Sequence, residues 1–294
     1  MKFSLQLAHP AVTFVLFMSV AGMTIISFHP VNIALSLFFS LVSVIIFNGK
    51  KGLKLAVFFC VPLMAITVFL NTFFNNNGVT FLFSVGNLQI MLEGLIYGLC
   101  SAGAIAATVM WFSCYSAVMS SEKFLYLFGR AAPSAALLVS LTLEQSNLMR
   151  QKLKLIDDGQ HSLYGDAEKS LAQKLRLALN KVTVLLSWVM EDSIITADAM
   201  NARGFGTGKM TKMRPYIWRF ADKTFFITLF VFITLCVASF FKGTIRFDFF
   251  PLLDELKPAA AEIVTYIIFF VFYSLPLLAE LKEALKWRSY QSKI

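Results

Sequence analysis

Long apolar stretches separated by short polar turns dominate the pattern of this chain. A helix needs about 20 mostly apolar residues to cross the hydrocarbon core of a bilayer. Stretches that approach or reach this length lie at residues 11–28, 31–47, 53–74, 91–119, 224–241 and 261–281. The first two are short and are separated by Phe28-His29-Pro30, so we expect a tight helical hairpin there. The pattern predicts an all-α fold, a polytopic membrane bundle of about six spans.

The charges in the turns favour one orientation of these spans. Loops that are rich in Lys and Arg remain on the cytoplasmic side of a membrane. The turn 48–54 contains three lysines, whereas the loop 75–86 contains no charged residue. The turn should therefore be cytoplasmic and the loop external. Six spans then place both termini and the segment 144–223 in the cytoplasm.

That segment, residues 144–223, interrupts the membrane pattern and contains about half of all the charged residues. Apolar residues recur within it at spacings of three and four, the period of an amphipathic helix: Val182, Leu185, Leu186, Val189 and Ile195. A second helix is predicted over about 143–157, and the stretch 158–166 between the two helices has the composition of a turn. Two long amphipathic helices are typical of a lever and not of a catalytic domain.

The apolar segment 124–143 contains Arg130 and Pro133, so we predict a half-buried or interfacial helix there. The chain is accordingly divided into three parts. Residues 1–123 are N-terminal transmembrane helices, and residues 124–223 comprise the interfacial helix and the cytoplasmic helices. Residues 224–294 are C-terminal transmembrane helices.

Composition supports the membrane class, since 57% of the residues are hydrophobic, 15% are charged and the mean hydropathy is +0.70. Soluble domains average about 45–50% apolar and about 25% charged residues. The net charge of +9 is explained by basic cytoplasmic loops, so no nucleic-acid partner is expected.

Residues that carry chemistry are few and scattered. The four cysteines lie in apolar stretches without paired spacing, and the three histidines lie at predicted membrane boundaries or in a loop. No metal-ligand spacing or catalytic pair results, so we expect no metal, no cofactor and no enzymatic activity. Glu93 is near the start of a span, where we expect it at the headgroup boundary. The spans thus offer no ion path of their own.

A glycine-rich stretch at 204–209 resembles a phosphate-binding loop only superficially. Such a loop requires a glycine five residues before Gly208 and a Ser or Thr after Lys209, but Arg203 and Met210 occupy these positions. The glycines also follow a helix, whereas an anion-binding loop opens one. We therefore expect this chain to bind no ATP by itself.

The tripeptide Ala202-Arg203-Gly204 has two interpretations. As a helix stop, the glycine provides a left-handed residue and the arginine complements the helix dipole. On an aqueous face of a membrane protein, the same arginine can form a two-pronged pair with a partner's carboxylate. We favour docking onto a soluble partner through these three residues.

Six short motifs lie in order along the chain, and the most specific is Ala197-Asp-Ala-Met-Asn-Ala-Arg-Gly-Phe-Gly206. The others are His9-Pro10, Phe47–Lys54, Asn76–Thr80, Trp111–Tyr115 and Glu122–Arg130. Together they resemble the transmembrane T component of energy-coupling factor (ECF) transporters, which are ABC-type importers of vitamins and trace nutrients.

This resemblance implies a multi-pass scaffold in a bacterial plasma membrane. In such transporters two cytoplasmic ABC ATPases close on ATP, and long amphipathic coupling helices carry the motion to a separate membrane subunit, the S subunit, which binds the substrate. Arginines at the ends of the coupling helices dock onto the ATPases, and Arg203 matches one such position. The implied partners are the two ATPases, the S subunit and the lipid bilayer.

The first coupling helix departs from the family pattern. Relatives often carry an Ala-Arg-x copy at its end, where this chain has Asp157-Asp158-Gly159. Glu144 and Asn147 stand where relatives often have Arg and Pro. Three nearby cations are candidates for an additional docking contact: Arg150, Lys152 and Lys154. An unusual ATPase partner and a diverged paralogue are the alternatives.

Two other function classes remain open at this stage. The permease of a conventional ABC importer couples through an acidic-Ala-Ala-x-x-x-Gly helix, which Asp198-Ala199-Met200 and Gly204 partly match. Its Leu-Pro continuation is replaced by Arg214-Pro215. A membrane enzyme would need a catalytic pair or metal ligands near one face. Purification separates these classes: a transporter subunit should carry soluble ATPases with it, whereas an enzyme should turn over a substrate by itself.

Overall fold

A computed structural model describes residues 5, 8–74, 78–85, 88–129, 132–164, 170–208, 216–243, 247–250 and 260–291. Its helices are α1 (Pro10–Ile26), α2 (Pro30–Leu55), α3 (Val61–Phe74), α4 (Leu92–Val118), α5 (Ser121–Phe128), α6 (Pro133–Tyr164), α7 (Leu171–Ala202), α8 (Phe220–Phe241) and α9 (Ala260–Gln291). A π-helical turn, Ala56–Cys60, joins α2 to α3. The predicted all-α membrane bundle is confirmed.

Four helical segments in the described residues are long and apolar enough to cross a membrane: Pro30–Phe74, Leu92–Val118, Phe220–Phe241 and Ala260–Leu281. Helix α1 is apolar but shorter, with 17 residues. The segment Pro30–Phe74 has 45 residues, which is far more than one crossing needs. It comprises two of the expected spans, so the apolar helices coincide with all six stretches that hydropathy marks.

Gly49 divides that long segment. Its φ of 56° and ψ of −131° are not helical, and a positive φ is readily adopted only by glycine. The side-chain amide of the preceding residue, Asn48, donates a hydrogen bond to Ser113 Oγ at 2.7 Å and so holds the turn against α4. Gly49 thus interrupts the helical backbone between two stretches that the sequence predicts to be separate spans.

Helix α4 packs against α1, α2 and α3 through small residues. Lipid tails are as apolar as the helices, so close backbone approach replaces the hydrophobic effect as the source of association. A Cβ on Gly103 would lie 2.9 Å from Cγ2 of Ile33, and one on Gly98 would lie 3.1 Å from Cβ of Asn71. A larger residue at either position would force its neighbour to shift, so the two glycines allow this close approach.

A buried polar network joins four helices inside the bundle. The Thr24 hydroxyl oxygen lies 2.7 Å from Ser36 Oγ and 3.4 Å from the Tyr273 hydroxyl. Trp111 Nε1 donates to Ser36 Oγ at 3.0 Å. All four side chains are at most 1% exposed. Since a polar group in an apolar interior must be hydrogen-bonded, the network fixes the relative positions of α1, α2, α4 and α9.

A short antiparallel hairpin precedes α4. Strands β1 (Phe81–Val85) and β2 (Leu88–Met91) pair in the region where the sequence predicts part of an external loop. Glu93, expected at a headgroup boundary, is fully buried and accepts a hydrogen bond from the Thr80 backbone N–H at 2.9 Å. A Cβ on Gly78 would clash with the Glu93 carboxylate and would lie 2.9 Å from Cβ of Met91, so a larger residue there would displace both side chains.

The chain divides into two compact units. Unit 1 comprises Met1–Phe124 and Tyr216–Ile294, and it contains the apolar helices. Unit 2 comprises Leu125–Pro215 and contains α6 and α7, which pack against each other. The polar region of the sequence therefore forms a unit of its own, between two parts of the chain that fold together.

The helices of unit 2 are longer than the sequence predicts. The helix expected over 143–157 is part of α6, which continues to Tyr164. The predicted turn over 158–166 is therefore wrong as far as Tyr164, and the remainder lies outside the described residues. An ion pair between Asp157 and Lys181 of α7 holds this part of α6 in place, which explains why Gly159 does not end the helix.

The apolar segment 124–143 is not one helix. Helix α5 ends at Phe128 and α6 begins at Pro133, while Arg130 lies outside the described residues. Proline suits the first position of a helix because the N–H it lacks would have no partner there. Pro133 thus starts a helix where the sequence predicts that one continues.

Candidate coupling site

Helix α7 begins at a capping box. The Ser170 side chain caps the first turn, and the Ser170 backbone N–H donates to the Gln173 side-chain oxygen at 3.2 Å. This reciprocal arrangement satisfies backbone donors that otherwise lack partners at a helix start. The helix then runs for 32 residues to Ala202, so both of its ends are set by local sequence.

An exposed apolar stripe follows α7 along its length. Its members recur at spacings of four and three, and each is more than half exposed: Leu171, Leu175, Leu179, Val182, Leu186, Met190 and Ile194. This spacing puts them on one side of the helix. A continuous row of uncovered large apolar side chains marks an interaction surface.

Helix α7 ends in a Schellman motif built on Gly204. The Phe205 N–H donates to the Met200 carbonyl at 3.0 Å, and the Gly204 N–H donates to the Asn201 carbonyl at 2.9 Å. Gly204 has a φ of 80°, the left-handed conformation that this motif requires. The expected helix stop is therefore present, with Ala202 as the last helical residue and Arg203 as the cap.

Arg203 is exposed at this helix end. In the described parts of the chain, no hydrogen bond or ion pair reaches its guanidinium group. The backbone beneath it is fixed by the Arg203 N–H, which donates to the Ala199 carbonyl at 3.1 Å. A planar cation held on a rigid support can meet a carboxylate with two parallel hydrogen bonds.

The three additional candidates on α6 differ in their environments. Lys152 forms an ion pair with Asp192 of α7, and its ammonium lies 5.6 Å from the centroid of the Trp188 ring. The hydrogen bond from Lys152 holds the pKa of the Asp192 carboxyl below its ordinary value. Arg150 and Lys154 are exposed. Lys152 therefore joins the two helices, and only its neighbours present exposed cations.

The structure does not bring these cations together with Arg203. Lys152 contacts α7 at Asp192. Asp192 precedes Arg203 by 11 residues, which corresponds to roughly 16 Å along an α-helix. The two acidic residues that replace the family's Arg also separate: Asp157 pairs with Lys181, whereas Asp158 is exposed. Unit 2 thus presents a cation at one end of α7 and an acid on α6.

No group of three or more His, Cys, Asp or Glu side chains in the described residues is arranged to hold a metal ion. All four cysteines are buried and unpaired.

Sequence reasoning missed the contacts that hold unit 2 together. The pairs Lys152–Asp192 and Asp157–Lys181 join α6 to α7 across gaps of 40 and 24 residues. In an antiparallel helix pair, the sequence separation between contacting residues decreases toward the connection between the helices. Oppositely charged residues at such separations are present in this sequence. They can be paired with each other only once the full lengths of both helices are known.

Comparison with known proteins identifies the family. The family model for the cobalt transport protein CbiQ matches residues 3–216, a range that includes the first four apolar stretches and all of unit 2. A search of curated proteins found no match. A family of this kind supplies a membrane component of ABC-type transport and works with ATPase and substrate-binding components. With its several apolar helices, this chain is a multi-pass membrane protein that belongs to the CbiQ cobalt transport protein family.

Proposed function

We propose that this chain is the T component of an ECF-type importer, the subunit that transmits the movement of two cytoplasmic ATPases to a separate substrate-binding S subunit. The observation that carries the proposal is Arg203, an exposed cation fixed on the Schellman end of a 32-residue helix. A conventional permease would also line a substrate path. Inside this bundle the polar side chains of Thr24, Ser36 and Trp111 bond to one another instead.

Arg203 is suited to dock into an acidic groove. Its neighbours Ala202 and Gly204 are small, so a partner surface can approach the guanidinium group closely. The Thr207 hydroxyl donates to the Gly204 carbonyl at 2.7 Å, which stiffens the turn that follows. Rigid support reduces the conformational entropy that binding would otherwise remove.

The apolar stripe of α7 is the proposed contact with the S subunit. Leu171, the most exposed member, is 85% exposed, and covering one leucine side chain contributes about 1.5–3 kcal/mol. A partner that is itself a membrane protein can offer an apolar surface at the aqueous boundary. A movement imposed at Arg203 would then reach the S subunit along one continuous helix.

The substrate in this proposal is a vitamin or a trace nutrient, and the family description makes cobalt the first candidate. The S subunit would bind it, since no cluster of candidate metal ligands is found in the described residues. The chain itself would contribute neither ATP hydrolysis nor substrate selection.

Assembly with the ATPases tests the proposal. In the complete complex, Arg203→Glu should weaken ATPase association by about 30-fold or more, because breaking a buried charge pair costs about 2–5 kcal/mol. Arg176→Glu is the matched control, as Arg176 is another exposed arginine of α7. Equal ATPase retention by both variants would contradict docking at Arg203.

Substrate binding separates this proposal from a conventional permease. The purified chain, without an S subunit, should bind neither cobalt nor a vitamin in equilibrium dialysis. Saturable binding by the chain alone would favour the permease.

A further inference from the structure

Near each of the two connections between unit 1 and unit 2, one residue contacts a residue that lies just before α1. Lys123, two residues before unit 2, places its ammonium 3.5 Å from the carbonyl oxygens of Leu5 and Val118. Trp218, which follows unit 2, stacks on His9 with ring centroids 4.1 Å apart and an interplanar angle of 23°. All five residues belong to unit 1.

This N-terminal stretch is in turn fixed to α1. The Leu5 carbonyl accepts a hydrogen bond from the Thr13 hydroxyl at 3.3 Å. His9 is the cap of α1, and its Nδ1 accepts from the Ala11 N–H at 3.2 Å. Leu5 and His9 are 2% and 6% exposed, so these two residues are part of the packed bundle. A displacement of either connection therefore acts on α1.

Lys123 is an unusual residue for this position. It is 5% exposed, and no carboxylate in the described residues forms an ion pair with it. Desolvation lowers the pKa of its ammonium group. Its place at the carbonyl end of α4 suits a cation, and its ammonium group donates to two carbonyl oxygens. The lysine thus ties the end of α4 to Leu5, which lies before α1.

We propose that Leu5, His9 and Thr13 form an N-terminal clasp, in which Lys123 and Trp218 are positioning residues that carry the movement of unit 2 into α1. The inference rests on the proposed function, because only a coupling subunit needs such a connection. If the connections to unit 2 were flexible, α6 and α7 could move without displacing the bundle. Contacts near both connections prevent such independent movement.

The test uses the complete complex, with ATPases and S subunit, in vesicles. Lys123→Met and Trp218→Leu should each assemble normally but lower substrate uptake per ATP hydrolysed by about tenfold, within the usual range of coupling between sites. Lys223→Met is the matched control, since Lys223 is an exposed lysine at the start of α8. The control should keep the wild-type ratio.

Thermal unfolding separates coupling from a merely structural role. Lys123→Met removes a donor from two carbonyl oxygens, so its unfolding midpoint should fall slightly. Trp218 is 39% exposed, so Trp218→Leu should keep the wild-type midpoint while coupling falls. A double variant, His9→Cys with Trp218→Cys, provides a second readout. Joining the two thiols with a short bifunctional reagent should restore coupling, and the native cysteines are buried and do not compete.

Two results would overturn the clasp. One is a normal uptake-to-ATP ratio in both Lys123→Met and Trp218→Leu. The other is a loss of uptake that follows a loss of thermal stability and is not restored by the cross-link. If Lys123→Met fails to fold, Trp218→Leu and the cross-linked pair decide. Failure of the wild-type chain to bind ATPases would instead refute the proposed function.

Discussion

Lys152 of α6 forms an ion pair with Asp192 of α7, and this contact joins the two long helices of unit 2. The Trp188 ring lies beside the same ammonium group. Lys152 is one of the residues that the sequence suggests for docking, but here it contacts α7. The ion pair therefore holds α6 and α7 together.

Acid should loosen this helix pair. The pKa of Asp192 is lowered from its ordinary value of 3.8, chiefly by the hydrogen bond from Lys152. A lowered pKa contributes stability that is present above the ordinary value and is lost as pH falls through the folded-state pKa. Hydrogen exchange of α6 and α7, corrected for its intrinsic rate, should therefore accelerate below about pH 4. Asp192→Asn should remove that acid-dependent step, and an unchanged step would exclude this pair as its cause.

Two glycines of unit 2 should respond to alanine in opposite directions. Gly204 has a positive φ, so Gly204→Ala should destabilise the end of α7 by about 1–2 kcal/mol. Gly159 lies inside α6 with open space around it, so Gly159→Ala should stabilise that helix by about 0.5–1 kcal/mol. Local hydrogen exchange measures both. The same sign for both variants would contradict the helix boundaries described here.

The orientation of the chain is testable with thiol labels. Because the turn 48–54 is basic and the loop 75–86 is uncharged, a membrane-impermeant reagent outside the cell should label Asn77→Cys and miss Ser170→Cys. Asn77 lies outside the described residues, and Ser170 is the cap of α7. The buried native cysteines keep the background low. The reverse labelling pattern would refute the predicted topology.

The apolar stripe of α7 predicts a position-specific effect on the S subunit. Leu179→Lys should reduce recovery of the S subunit by about tenfold or more, since a buried leucine contact is worth about 1.5–3 kcal/mol. Asn180→Lys adds the same charge one residue away, on an exposed position off the stripe. It should leave recovery unchanged. Equal loss in both variants would point to a general charge effect.

Local patterns predicted the parts of the fold that local forces determine. A span needs only a run of apolar residues, and the end of α7 needs only Gly204 after its last turn, so both were found from the sequence. The continuation of α6 past Gly159 depends on Lys181, which is 24 residues from its partner Asp157. A glycine in a helix costs only about 1 kcal/mol, and such a distant contact can offset it.

Long-range features of the candidate site could not be predicted in this way. His9 was assigned to a membrane boundary without a role, and its stacking partner Trp218 lies 209 residues later in the sequence. Trp218 itself was not singled out, because a tryptophan near a span is common. Lys123 was noticed only as part of a family motif. No pattern in the sequence predicts its hydrogen bond to the Leu5 carbonyl, 118 positions earlier.

The polar network of the bundle has a consequence for how the chain is made. Thr24 belongs to α1 and Tyr273 to α9, 249 positions later in the sequence. During synthesis the early helices enter the membrane while α9 is still absent, so Thr24 and Ser36 remain without Tyr273 in an apolar interior. Insertion of α9 thus completes the fold. A chain truncated before α9 would keep the Thr24–Ser36 and Trp111–Ser36 bonds but would lack the contact that connects α1 to α9.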